Sequence, residues 1–261
     1  MTETKGVGAA IFARGLTKRY GDRRTAVDAI DLSVPPGAFY GFLGPNGAGK
    51  STTIAMLCGF VRPSEARALR VAGVDVTRDP MAVKRHIGVM NEETTLWEHL
   101  TAAEHLEFAG QMQGLSLREA RRRADELLAL LDLSDARDRL IADYSMGMKK
   151  KTALAGALIH GPQVLFLDEP FNGVDALSVR TLCALLKHVT EQRGTTVFFT
   201  SHVLETVERL CTHAAIIHQG RIVGEGTMDE LRARAGKDAT LEDAFLRLVE
   251  ARPTAGSLSW L

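Results

Sequence analysis

The chain carries no excess of charge, since 32 Lys and Arg stand against 32 Asp and Glu over 261 residues. No global basic field exists, so nucleic acid is not expected as a main partner. Cysteine is scarce too. Cys58, Cys183 and Cys211 lie far apart in apolar, helical or near-helical stretches and form no paired metal-ligand spacing. They fit core packing in a reducing compartment. No apolar run approaches the ~20 residues that a bilayer span needs. The start, Met1-Thr2-Glu3-Thr4-Lys5, lacks the charged-then-apolar order of a signal peptide. A soluble, cytoplasmic chain is the expectation. Neither a long-period repeat nor a low-complexity tract is present.

What is present begins with Gly44-Pro45-Asn46-Gly47-Ala48-Gly49-Lys50-Ser51, which fills the eight-position pattern of a phosphate-binding loop. Apolar Phe39 to Leu43 before it reads as a buried strand, and Thr52 to Cys58 after it as a helix. Glycines let backbone N–H groups close around a polyphosphate, and the new helix turns its positive end toward that charge. Lys50 adds a full charge beside the terminal phosphates, and Ser51 is placed to hold Mg²⁺.

Four short apolar runs, Phe39 to Leu43, Val164 to Leu167, Thr196 to Phe199 and Ala214 to Ile217, predict parallel strands of an α/β core. Between Thr101 and His160 the pattern turns helical. Thr101-x-x-Glu104 and Ser116-x-x-Glu119 both have capping-box spacing, and Ala120, Ala124, Leu127, Leu128 and Leu131 share one face. Arg121-Arg122-Arg123 reads as part of the solvated opposite face. Further helices are predicted from Met228 to Arg234 and from Leu241 to Glu250, with Pro253 to Leu261 fraying.

The run Val164 to Leu167 ends in Asp168-Glu169, which delivers two carboxylates to the carboxyl edge of a parallel sheet. Asp168 suits Mg²⁺, through water, and Glu169 suits orienting or deprotonating the water that attacks a γ-phosphate. Among the eight histidines, only His202 directly follows a predicted core strand through a Thr-Ser pair. It can meet the same crevice and hydrogen-bond a terminal phosphate.

With these residues in place the chain resembles the ATP-binding cassette family from about Ile11 to Glu250. Tyr144-Ser145-Met146-Gly147-Met148, then Lys149-Lys150-Lys151, is similar to that family's signature element just before the acidic strand. Asn172-Gly173-Val174-Asp175 resembles its D-loop, His202 its switch histidine, and Tyr20 the aromatic that stacks on adenine. The resemblance implies a P-loop NTPase α/β core with a mixed, mainly parallel sheet and an inserted helical subdomain. The core is expected over 1–90 and 161–235, the subdomain over 91–160, and a C-terminal helix and tail over 236–261. It further implies ATP and Mg²⁺ as cofactors. Tyr20, Gly44 to Thr52, Ser145, Gly147 and Asp175 would hold the nucleotide. Ser51, Asp168 and Glu92 would meet the metal, and Glu169, His202 and Glu92 would serve hydrolysis.

Two departures from the family pattern stand out. Glu92 occupies the switch-loop position that usually holds glutamine, and a carboxylate accepts but does not donate. Met146 and Met148 stand where Gly and Gln are commoner. The lysine triplet is expected at the exposed start of the signature helix. The implied function is the ATPase subunit of an exporter, paired head to tail with a second cassette, a homodimer, on a separate membrane permease. The inserted region would be the contact surface. A soluble cassette acting in assembly or regulation, such as on an iron–sulfur scaffold, and a nucleic-acid-linked cassette remain alternatives at this stage.

Overall fold

In the computed structural model, residues 8–21, 24–236 and 240–249 are described. The expectation for Pro253 to Leu261 lies outside them. The chain opens with two long antiparallel strands, β1 (Ile11–Tyr20) and β2 (Arg24–Val34). It continues through β3 (Phe39–Leu43), α1 (Lys50–Leu57), β4 (Ala68–Val71), β5 (Val74–Asp75), α2 (Pro80–Lys84) and β6 (Ile87–Met90). Three helices follow: α3 (Ala102–Met112), α4 (Leu117–Leu130) and α5 (Met146–Leu158). The second half runs β7 (Val164–Leu167), α6 (Ala176–Arg193), β8 (Thr196–Ser201), α7 (Leu204–Leu210), β9 (His213–His218) and β10 (Arg221–Thr227). Helices α8 (Met228–Ala235) and α9 (Leu241–Leu248) close the described chain.

The main sheet has six strands in the order β10-β9-β3-β8-β7-β6, parallel except for the β9–β10 pair at its edge. This is the α/β architecture expected of the short apolar runs, which are buried on both faces as parallel strands must be. A second, four-stranded antiparallel sheet, β2-β1-β4-β5, is the part that strand periodicity did not announce. Its longest strands are interrupted: the β1–β2 register shifts at three places, and Gly15 and Ala29 take positive φ of 57° and 49°. Each bulge resets the inward-outward alternation, so a period-2 pattern is lost.

Register then decides what meets at the sheet edge. Leu43 of β3 pairs with Ser201 of β8, and Leu167 of β7 pairs with Phe199, so the three strands end nearly level. The ring of Phe198 sits 5.5 Å from Tyr40, 5.3 Å from Phe42 and 5.6 Å from Phe166, joining the same three strands from below. Each such pair adds about 0.5–1.5 kcal/mol beyond area burial. The edge that carries Gly44, Asp168 and His202 is thereby built on a rigid aromatic floor.

Helices α3 to α5 all lie between β6 and β7. Thr101 and Glu104 form the full reciprocal capping box on α3. At α4 only half of it forms. Ser116 accepts from the Glu119 amide, but the Glu119 carboxylate is taken by Arg122 and Arg123, which pull its pKa down to about 2. Arg121 and Arg122 lie on the solvated side, whereas Arg123 turns inward and donates to the Ile159 carbonyl.

Candidate functional site

The loop from Gly44 to Gly49 packs so closely that side chains are excluded at its two ends. A Cβ on Gly44 would lie 2.3 Å from the Ile217 carbonyl oxygen, and one on Gly49, at φ 110°, 2.4 Å from that of Ala26. Gly49 is the N-cap of α1, and no side chain caps that helix, nor is any acidic residue in its first turn. Its opening amides and dipole therefore face the cleft ready for an anion. The cleft measures about 330 Å³ and is lined by Arg24, Asn46, Lys50, Ser51, Glu92 and Glu169 among others. A larger cavity of about 770 Å³ opens elsewhere, beside Gly161 to Val164 at the opposite ends of the strands. It lacks the carboxylates and the phosphate loop, and in parallel sheets ligands bind at the carboxyl ends.

Lys50 is 6% exposed and donates to the Gly44 carbonyl at 2.8 Å. Its Nζ also lies 3.2 Å from Glu169 Oε1, an ion contact without hydrogen-bond alignment, so this buried carboxylate oxygen has no hydrogen-bond donor among the described residues. An orphaned acceptor at the cleft wall is suited to a water or ligand proton. Glu169 Oε2 is engaged by His202 Nδ1 at 2.9 Å, which places the ring proton on Nδ1 and leaves Nε2 for another partner.

Glu169 itself sits at φ 47°, a left-handed conformation that costs a non-glycine residue about 1–2 kcal/mol. Its amide donates to Thr200 Oγ1 at 2.9 Å, and the same hydroxyl donates to Asp168 Oδ1. Thr200 thus fixes the Asp168 carboxylate and the main chain of Glu169. Backbone strain held by specific hydrogen bonds is a mark of functional positions.

The switch-position residue Glu92 is exposed, lines the cleft, and accepts from Asn172 Nδ2 at 3.3 Å. Its main-chain oxygen receives Lys150 Nζ at 2.7 Å. The expectation that the lysine triplet is an exposed helix start is corrected here: Lys150 and Lys151 are buried, and Lys149 pairs with Glu98. Helix α5 is wedged between the core and its neighbouring helices, so few of its faces reach water. Burial pushes the Lys150 ammonium below the ordinary lysine range, while the Glu92, Asp168 and Glu169 carboxylates push back.

Ser145 caps α5, accepting from the Met148 amide, and is exposed together with Met146. Gly147 packs against the start of α6, where a Cβ would meet Ser178 Oγ at 2.6 Å and Asp175 Oδ2 at 2.8 Å. Asp175 Oδ1 caps α6 through the Ser178 amide at 2.9 Å. None of Ser145, Gly147 and Asp175 lines the Lys50 cleft. Tyr20, 44% exposed with Lys18 Nζ 5.1 Å from its ring centroid, pairs across the hairpin with Arg24 at the cleft wall.

The phosphate loop, the acid pair and His202, which the sequence places at one edge, meet there in the structure. Arg24 and Ala26 in the wall, the Thr200 relay and the inward Lys150 emerge only from the fold. Only Thr200 left a signal, as a polar residue ending an apolar strand.

The donor set fits a magnesium–nucleotide. Among the described residues no group of three or more His, Cys, Asp or Glu makes a metal site by protein ligands alone. Mg²⁺ characteristically takes one or two carboxylates and completes its shell with phosphates and water.

A family profile for ABC transporters matches residues 27–172. The chain is 42% identical over 246 residues to the daunorubicin/doxorubicin resistance ATP-binding protein DrrA of Streptomyces peucetius, covering 94% of this chain and 72% of that one. It is 36% identical to the bacitracin transport ATP-binding protein BcrA of Bacillus licheniformis, over 85% and 71% of the two chains. A solved ATP binding subunit of an ABC transporter superposes with a TM-score of 0.84 at 30% identity, covering 92% of this chain and 99% of that one.

Proposed function

The chain belongs to the ABC transporter family as an ATP-binding, ATP-hydrolysing subunit, and from that premise we propose that it energises export through a separate membrane permease by ATP-driven dimerisation. One observation carries the reading: the phosphate cleft and the Ser145–Gly147 turn are both complete on one chain, yet the turn lies outside that chain's own cleft. An ATP bound by the loop is walled on one side only. A second copy, set head to tail, supplies the missing wall with its Ser145 hydroxyl and the opening of its α5 helix.

In this arrangement the amides of Gly44 to Thr52 and Lys50 hold the phosphates, and Tyr20 stacks on the base. Ser51, Asp168 and Glu92, of which Ser51 and Glu92 line the cleft, would hold Mg²⁺, which offsets phosphate charge when bound. Glu169 orients and deprotonates the attacking water through Oε1, which beside Lys50 accepts no hydrogen bond among the described residues, and His202 steadies Oε2 while its Nε2 meets the terminal phosphate. Asp175 couples the two sites by bracing Gly147.

Among the described residues no helix is long and apolar enough to cross a membrane, and in this proposal the translocation path is the permease's. A groove of about 310 Å³ between β6, the Glu92 loop and helices α3 and α5 is the proposed permease contact. Trp97, Phe108 and Met112 expose apolar surface nearby, the first two with ring centroids 4.2 Å apart. The chain would then sit on the cytoplasmic face of the membrane through that permease, with a second identical copy beside it. Affinity capture from detergent-solubilised membranes, followed by mass spectrometry, tests the assignment. A membrane-spanning partner in stoichiometric yield is expected, and recovery of soluble partners alone would refute it.

A further inference from the structure

We propose that Lys150 is a positioning residue for hydrolysis: reaching in from the helix that opens at Ser145, its ammonium pins the main chain of Glu92 and so fixes the switch loop against the acid pair. The inference rests on the ATPase reading above.

Several observations converge on it. Lys150 is 3% exposed, and among the described residues the one hydrogen bond of its side chain is the 2.7 Å contact to the Glu92 carbonyl. The carboxylates of Glu92, Asp168 and Glu169 are the charges that act on it. An apolar side chain of similar length would fill the same space without the desolvation that a buried ammonium entails, so packing alone does not account for a lysine here. The adjacent Lys149 engages the Glu98 carboxylate, so one turn of α5 grips the loop at both ends, residues 92 and 98. From Glu92 the connections run on to the chemistry: Glu92 Oε1 accepts from Asn172 Nδ2, and the main-chain N–H of Asn172 donates to the Glu169 carbonyl at 3.2 Å.

This clamp has a consequence for how two copies communicate. Ser145, which would meet the partner's nucleotide, caps the same helix one turn before Lys149 and Lys150. Any shift of α5 on closure is therefore delivered to the Glu92 loop through two ammonium contacts rather than through loose backbone. Because Lys150 binds the main-chain oxygen, the contact is independent of whether Glu or Gln occupies position 92.

The test uses the full-length chain as Lys150→Met and Lys150→Arg, with two readouts. In the nucleotide-free protein, amide hydrogen exchange at 91–98 is expected to accelerate in Lys150→Met and to stay near wild type in Lys150→Arg. In steady-state hydrolysis Lys150→Met should lose about tenfold or more in kcat, the order expected for one charge-assisted hydrogen bond, with KM for ATP changed less than ~3-fold. Lys150→Arg should recover most of the rate. Should Lys150→Met not fold, Lys150→Gln, whose shorter side chain withdraws the donor, carries the same two expectations. Wild-type kcat and exchange in the Met or Gln variant overturn the proposal. So does a parallel loss of rate, affinity and thermal stability that arginine does not restore, which would make Lys150 merely structural. A wild-type chain that binds no ATP overturns the ATPase reading and this proposal together.

Discussion

Replacing Glu169 by Gln should nearly stop turnover while leaving nucleotide binding intact and holding two copies together. In the structure the carboxylate has two different oxygens: Oε2 is fixed by His202 at 2.9 Å, and Oε1 is buried, 3.2 Å from Lys50, without a hydrogen-bond donor among the described residues. A glutamine oxygen can still accept from His202 Nδ1, so the ring and local backbone should stay in place. The base is lost. A positioned general base contributes about 10²–10⁴-fold, equal to roughly 3–5 kcal/mol of barrier, and the fall in kcat should lie in that range. Binding should move the other way. A carboxylate charge repels a polyphosphate, and two unit charges ~5 Å apart interact by about 3 kcal/mol at an effective dielectric of ~20, before salt screening. Removing that repulsion favours the closed, ATP-loaded pair. Phosphate release measured beside multi-angle light scattering, with and without ATP and Mg²⁺, reports both effects. A variant that hydrolyses within ~3-fold of wild type, or stays monomeric with ATP, would refute the roles assigned to Glu169 and to dimer closure.

Gly147→Ala places a methyl group 2.6 Å from Ser178 Oγ and 2.8 Å from Asp175 Oδ2, so the α6 cap must give. A loss of about 1–3 kcal/mol in unfolding free energy is expected, with ATP still bound by the monomer but no longer pairing it; denaturant melts and light scattering check this. Glu92→Gln can keep the Asn172 contact through its amide oxygen, but it removes a negative charge from the cleft, so the Mg²⁺ midpoint for hydrolysis should rise several-fold, roughly. An unchanged Mg²⁺ profile would mean that the side chain stays away from the metal. His105 and His160 are held below their ordinary value of 6.5, His105 by burial and His160 by burial with Arg123 nearby. Folded, each binds a proton less readily than in the unfolded chain, so their share of stability is full above pH ~6.5 and is lost as pH falls through the lowered values. Thermal melts should show Tm dropping on acidification from pH 7.5 to 5.5, with a smaller drop in the His105→Gln/His160→Gln double variant; equal drops would contradict the assignment.

Local spacing was enough for much of this protein. A loop of glycines before Lys50-Ser51, an apolar strand ending in Asp168-Glu169, and Thr101-x-x-Glu104 each encode their structure within a few residues, because strand, turn and cap are short-range events. The six-stranded sheet was legible for the same reason: strands buried on both faces write themselves as unbroken apolar runs. The antiparallel sheet was not, since bulges at Gly15 and Ala29 reset its alternation.

The site shows the same division. Residue types and their order along the chain nominated Lys50, Glu169 and His202. Which oxygen of Glu169 faces which partner was settled by register between β3, β7 and β8, strands far apart in sequence. The lysine triplet is the clearest case. Three consecutive charges read as a solvated helix start, because sequence gives charge but not the depth at which a helix is packed. Tertiary structure set α5 against the core, turned Lys149 to Glu98 and drove Lys150 inward to the Glu92 carbonyl, where desolvation is partly offset by carboxylates that only folding brings near.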